Sequence, residues 1–309
     1  MNVPDGLPCN PALVPFIEKS GMSAKAQLSN GYSSLDKVRK LLDADKNPQN
    51  IDFFFTDGKV LQIDTQIDVL FKSKYLTGQF IPTSLKGFSV LRNEANPDVD
   101  LFAVDESGFQ FQTGHQLTDS FSIGAQARLM QRKYIRKQFK LLDLTTDAGA
   151  SILTPQTQNV LFLEPGFLWR LGNQMKSDMD PRLSAMLVNL GTLSAKSDDM
   201  PQPVETQIGF GLTPVRASSL GSYGQWDLLL DYKSLSYQET ASAKLRLGSL
   251  YSFGSMRLFA GIDASGISGG VFTSLQAIQA AITYSTTKFV NEREGFFTQT
   301  VYMQIGWEN

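Results

Sequence analysis

Between Leu61 and Lys72 the chain reads LQIDTQIDVLFK. Successive side chains of a strand face opposite ways. Leu61, Ile63, Thr65, Ile67, Val69 and Phe71 therefore form one row, and Gln62, Asp64, Gln66, Asp68 and Lys72 the other, interrupted by Leu70. A soluble sandwich would turn the first row into its core and the second to solvent. A membrane barrel would turn the first row to lipid and the second to a wet lumen. The run is also long: strands of soluble proteins average about 5–6 residues.

The same alternation recurs along the chain. VETQIGFGL (Val204–Leu212), WDLLLDY (Trp226–Tyr232), AKLRLGSLY (Ala243–Tyr251), MRLFAGID (Met256–Asp263) and VYMQIGW (Val301–Trp307) all repeat it. The spacing predicts strands over 22–32, 59–72, 75–91, 98–113, 119–137, 157–171, 182–193, 203–215, 222–236, 240–253, 255–264, 268–275, 277–289 and 296–308. Many approach the roughly 9–11 residues that cross a bilayer at a tilt. Their polar rows carry glycine and both charge signs: Asp64 and Asp68, Arg128 and Arg132, Glu164 and Arg170, Asp227 and Asp231, Lys244 and Arg246, Arg257 and Asp263. Tyr75, Trp169, Trp226, Tyr232, Tyr251, Tyr284 and Trp307 recur at strand ends, as an aromatic girdle requires. An open sheet cannot sit in lipid, because its edge groups would have no partner, so the sheet must close. Connections alternate between short (73–74, 254, near 276) and longer (33–58, 138–156, 194–202, 290–295), although 172–181 and 216–221 are longer than the scheme wants. Ser33-Ser34-Leu35-Asp36 caps a helix with Leu35, Val38, Leu41 and Leu42 on one side. Asn47-Pro48 starts a short second turn, and Phe139–Ala150 is a third, weaker helix.

Composition narrows the function. The 309 residues are 42% hydrophobic and 19% charged, with a net charge of −2, which gives no basic footprint for nucleic acid. No window reaches the roughly 18 apolar residues of a membrane-spanning helix. Cys9 is the only cysteine; Pro8 stands where lipid attachment wants a small residue, so it reads as a buried or idle thiol. His115, the only histidine, falls in a predicted turn, GHQLTD, which leaves no metal site and no Ser-His-Asp triad. Asp64 and Asp68 form a carboxylate pair on one face, read more simply as part of a lumenal charge network with Lys72, Lys244, Arg246 and Arg257. GLGSYG and SGISGG lack the strand-to-helix setting of a phosphate loop. KYIRKQFK ends the fifth strand; Lys133, Arg136 and Lys137 there are a candidate contact for lipopolysaccharide phosphates. Met1 is followed at once by polar NVPDG, which fits a cytoplasmic chain or a form without its signal peptide.

PCNPALVPF, with Asn10, Pro11 and Ala12, resembles the NPA plug segment of FadL-like outer-membrane barrels, which include fatty-acid transporters and TraF-like proteins. LLLDYKSLSY and AKLRLGSLYSFGSMRLFAGIDASGISGGV resemble the strand rhythm of that superfamily. The resemblance implies that residues 1–21 fold into the barrel and block it, and that a kinked third strand opens the wall sideways. Here that strand, YLTGQFIPTSLKGF, carries Gly78, Pro82 and Gly87. No ligand-carboxylate site can be matched, and the chain is shorter than the usual fatty-acid transporter.

The expectation is a single all-β domain over 1–309: a closed antiparallel transmembrane β-barrel of about fourteen strands, with an N-terminal plug and short helices in the longer loops. It would sit in a bacterial outer membrane among lipid and bind or pass a small hydrophobic molecule, without catalysis, metal or cofactor. The rival is a non-transporting barrel that serves as scaffold, with a protein partner in a surface or secretion assembly.

Overall fold

The computed structural model describes residues 7–17, 20–29, 35–43, 60–92, 98–140, 142–143, 153–172, 179–190, 205–215, 224–234, 245–263, 266–290 and 295–308. Fourteen strands form a closed barrel. They are β1 (Gly21–Ser29), β2 (Val60–Lys72), β3 (Leu76–Arg92), β4 (Asp98–Thr118), β5 (Phe121–Lys140), β6 (Gln156–Arg170), β7 (Arg182–Val188), β8 (Glu205–Val215), β9 (Gln225–Ser234), β10 (Leu245–Phe253), β11 (Met256–Asp263), β12 (Gly266–Leu275), β13 (Ile278–Val290) and β14 (Gly295–Glu308). Each pairs antiparallel with its sequence neighbours, and β1 pairs with β14 to remove the last edge.

The apolar rows face outward. Ile67, Ile262 and Ile305 are 48%, 54% and 67% exposed, whereas Asp68 and Glu164 are 1% exposed. Water would penalise such an outer surface, and lipid satisfies it. Asp64 and Asp68 thus face the interior, and the water they meet is lumenal. Aromatic residues gather at the short-turn end, where Trp169 faces Phe121 and Trp226 faces Tyr251. Trp307 ends the seam strand near the same level, and Tyr232 marks the opposite end. Tyr284 is not at a strand end: it sits mid-way along β13, opposite Gly269 and Val301.

β4 and β5 outrun the rest, and their far halves rise beyond the shorter strands. The outward row there, Val99, Leu101, Ala103, Ile135 and Phe139, would meet water. Helix α1 (Leu35–Leu42) covers it with Val38, Leu41 and Leu42, joined by Ile63, Leu85 and Leu153 in one buried cluster. Burying each such side chain stabilises by about 1.5–3 kcal/mol. Gly87 lies beneath Val38, where a Cβ would sit 3.7 Å from both Val38 methyls, an ordinary van der Waals contact. Asp43 anchors the helix end to Lys133 at 2.7 Å.

Several expectations shift. The β4–β5 turn is Asp119–Ser120, so His115 lies within β4, opposite Ile123, because alternation continues through GHQLT. Phe139 and Lys140 belong to β5 rather than a helix; 144–150 and the Asn47-Pro48 turn lie outside the described residues. β1 opens at Gly21, so the wall takes one residue from the proposed 1–21 plug. β7 ends at Val188, short of residue 193.

Candidate functional site in the lumen

Asn10-Pro11-Ala12 begins a 3-10 helix, Pro11–Phe16, whose fixed proline φ suits a first turn. Asn10 caps it: Oδ1 accepts from the Ala12 N–H at 2.9 Å. Its Nδ2 donates to the wall, to Phe167 O at 3.1 Å and Ala185 O at 3.0 Å. Ser122 Oγ donates to Ala12 O at 2.8 Å, and Gln112 Nε2 to Pro8 O at 2.8 Å. The helix lies against the inward rows of β4, β5 and β6, near the short-turn end.

Its seat is made by missing side chains. Gly114, Gly124 and Gly166 stand directly opposite one another on three adjacent strands. A Cβ on Gly114 would lie 2.6 Å from Pro11 O, on Gly124 2.4 Å from Pro11 C, and on Gly166 2.4 Å from Asn10 Oδ1. Ala12 and Val14 are accordingly fully buried. Phe16 lies under the Arg170 guanidinium at 5.5 Å. Arg170 reaches Asp180 at 3.3 Å, and Arg182 Nε reaches the same carboxylate at 2.9 Å. In this turn between β6 and β7, burial pushes the Asp180 carboxyl up, but Arg182 and Arg170 more than reverse it and hold it below its ordinary value.

Above the seat a polar ladder crosses the wall. Thr77 Oγ1 donates to Gln112 Oε1 at 3.3 Å, Gln112 Nε2 to Gln126, and Gln126 Nε2 to Glu164. Glu164 pairs with Arg128 at 2.9 Å and accepts from the Asn189 N–H at 3.0 Å. Arg128 and Arg132 lie 4.7 and 6.0 Å from the Phe162 ring centroid, and Arg132 pairs with Glu106. Phe162 itself packs with Ile81, Met130 and Val160.

The sequence-derived charge network divides into separate groups. Asp68 pairs with Lys25 at 3.8 Å, a partner absent from the sequence reading. Asp64 faces Lys86 across the β2–β3 ladder. Asp227 accepts from Thr213 at 2.7 Å and from Gln225 at 2.9 Å. Arg246 stands opposite Asp231 and Asp263 and pairs with Asp263 at 3.5 Å. Arg257 covers the Phe272 ring at 5.5 Å. Lys72 closes β2 at the short-turn end, opposite Gly21 and Thr77, and Lys244 lies outside the described residues. Of the candidate opening strand, Gly78 pairs regularly between Phe71 and Phe111 and Gly87 between Ile63 and Ala103, and only Pro82 lies in a register break, Ile81–Ser84. Lys133 of the basic stretch is engaged with α1, while Arg136 and Lys137 are exposed. Cys9 is exposed, not buried.

A cavity of about 320 Å³ remains between the N-terminal segment and β7–β10. Cys9, Asn10 and Leu13 bound one side; Leu168, Met186, Leu229 and Leu250 supply an apolar lining, with Asp227 and Asp231 beside them. Among the described residues no group of acidic, histidine or cysteine side chains could hold a metal.

No protein-family model matches the chain, and no curated protein matches its sequence. Solved structures do match its fold. The Pseudomonas putida toluene transporter TodX is 10% identical, over 97% of this chain and 92% of that one, with a TM-score of 0.52. The Ralstonia pickettii toluene transporter TbuX is 9% identical over 97% and 92%, with a TM-score of 0.51. A TodX deltaS2S3 mutant, a monoaromatic hydrocarbon channel, gives 0.56 at 9% identity over 97% and 93%. What this chain shares with them is the fold, a closed antiparallel β-barrel, here of fourteen strands.

Within that fold the sequence reading found the Asn10 motif but not its seat. Gly114 faces Gly124 only when the turn is centred on Asp119–Ser120; a turn drawn at GHQLTD dissolves the pair. Gln112 and Gln126 were passed over for the same reason: each looks ordinary until the register sets them side by side.

Proposed function

We propose that this protein is an outer-membrane barrel of a Gram-negative bacterium that passes a small hydrophobic molecule without catalysis, with residues 7–17 as a plug. The observation that carries the reading is the cavity between that segment and β7–β10, lined by Leu13, Leu168, Met186, Leu229 and Leu250. Leu168, Met186 and Leu250 are buried at the back of this cavity and Leu13 and Leu229 are half-buried, so an apolar molecule seated there would cover the apolar surface that Leu13 and Leu229 still show. Its volume of about 320 Å³ is at the lower end for small-molecule sites and roughly twice the space that accommodates benzene. The fold likeness to toluene transporters supports the same class of cargo. Pro82, in the broken register of β3, is the part of the implied side opening that retains support. The paired lumenal charges fit a lining that stays hydrated.

The test is uptake of toluene into proteoliposomes carrying the purified barrel. Rates above those of empty vesicles support the reading; equal rates, for the intact chain and for one lacking residues 7–17, refute it. A scaffold role is the second reading, favoured by the tall β3–β5 wall with α1 on its outside. Recovery of a stable membrane-protein partner by the intact barrel, with no toluene uptake, would select it.

A further inference from the structure

The cavity between the N-terminal segment and β7–β10 has a charged side that its apolar lining does not account for. On β9 the inward column runs Asp227, Leu229, Asp231, so a carboxylate stands on each side of the leucine. Asp227 is engaged: its Oδ1 accepts from Thr213 Oγ1 at 2.7 Å and its Oδ2 from Gln225 Nε2 at 2.9 Å. Asp231 is exposed to the lumen, and among the described residues it accepts no hydrogen bond and forms no ion pair. The nearby cations are committed elsewhere. Arg246, opposite Asp231 on β10, pairs with Asp263 at 3.5 Å. Arg182 of β7 sends Nε and Nη2 to Asp180.

Gly209 sets the direction of the Asp231 carboxylate. It stands opposite Asp231 on β8, on the side away from Arg246. A Cβ there would lie 2.6 Å from Asp231 Oδ1 and 2.8 Å from Ser184 Oγ. Glycine therefore lets the carboxylate lean over β8 toward the Ser184 hydroxyl on β7. Both groups line the same cavity as the half-buried Leu13 and Leu229. A carboxylate beside apolar walls is less screened than one in bulk water, so it attracts a cation more strongly and repels an anion for the same reason.

We propose that this cavity takes an apolar molecule bearing one protonated amine. The ammonium group sits at Asp231 and Ser184, and an apolar body of about one ring lies against Leu13 and Leu229. The proposal rests on the reading of this cavity as the cargo site and narrows the chemistry of what enters it. Asp231 determines specificity, and Gly209 positions it.

The test is equilibrium binding of three probes of similar size to the full-length barrel in nanodiscs of zwitterionic lipid: 2-phenylethylamine, 2-phenylethanol and phenylacetate. The amine should bind about 10- to 100-fold more tightly than the alcohol, the range expected for a hydrogen bond to a charged group, and phenylacetate more weakly than either. Two variants locate the preference. Asp231→Asn removes the charge and nearly keeps the shape. Gly209→Ala places a methyl group where the carboxylate now leans, and meets only the ends of two side chains. Both should keep the heat-modifiable gel migration of the folded barrel, and in both the advantage of the amine over the alcohol should vanish. Equal affinity for amine and alcohol in the unmodified protein, an advantage that survives both variants, or no binding of any probe overturns the proposal. Toluene uptake separates it from the transport reading. Uptake without an amine preference removes the proposal and leaves transport standing; an amine preference lost in both variants, with no uptake, keeps the site and refutes transport.

Discussion

Gly124→Ala adds one methyl group to the floor of the seat that holds the N-terminal 3-10 helix. Its Cβ would lie 2.4 Å from Pro11 C and 2.5 Å from Ala12 N, both backbone atoms that no rotamer change can move. Relaxed carbon contacts lie at about 3.5–4.0 Å, so the segment must lift by about 1 Å. That lift stretches the Asn10 Nδ2 bonds, now 3.0 and 3.1 Å, and the Ser122–Ala12 bond, now 2.8 Å, toward or past the hydrogen-bonding limit. Losing two or three bonds at about 1 kcal/mol each costs about 2–3 kcal/mol, or roughly 30- to 150-fold in the docking equilibrium. The wall itself is unaffected, because alanine fits a strand. Cys9, beside Asn10 and the only thiol, reports the outcome. Gly124→Ala should raise single-barrel conductance in planar bilayers and speed labelling of Cys9 by a bulky maleimide. Conductance and labelling both equal to those of the unsubstituted protein would refute the seat.

Three further outcomes test other parts of the molecule. Glu164→Gln leaves the partly buried Arg128 without its countercharge and should destabilise the barrel by about 1–3 kcal/mol, read as a lower urea midpoint in micelles. Because the folded Asp180 carboxyl is held below its ordinary value, it contributes stability above its unfolded pKa of about 3.9, and that contribution is lost as pH falls through the folded value. Asp180→Asn should therefore shrink the loss of stability on acidification below about pH 4, compared by thermal melts across pH; an unchanged acid limb would remove Asp180 from the account. Leu41→Ala should cost about 2–5 kcal/mol of α1 packing, seen as faster hydrogen exchange at Val99–Ala103 without loss of barrel migration.

The barrel was legible because its signal has period two and repeats. LQIDTQIDVLFK fixes a face, and chain closure follows from the impossibility of a bare edge in lipid. That Asp64 and Asp68 share one face, and that a helix starts near Leu35, were readable from single segments; that the face is lumenal follows only from the closed barrel. What was hidden needs two strands at once. The Gly114–Gly124–Gly166 row, the Gln112–Gln126–Glu164 ladder and the Lys25–Asp68 pair exist only in register, and register hangs on turn positions. Gly78, Pro82 and Gly87 look alike in sequence as irregular strand positions, and which of them coincides with a register shift shows only once the neighbouring strands are paired.

Among the described residues, the seat of the N-terminal helix draws its hydrogen bonds and its glycine row from β4, β5, β6 and β7, all consecutive in the chain, and none from β14. The seam that closes the cylinder is formed by the first and last strands. The berth for the N-terminal segment is therefore complete once those four neighbours have paired, while the cylinder can still be an open trough. The segment can be laid in from the side rather than threaded through a finished ring. Closure and occupancy are in this sense separate events: a weakened seam should leave the segment berthed, and an evicted segment should leave the seam shut.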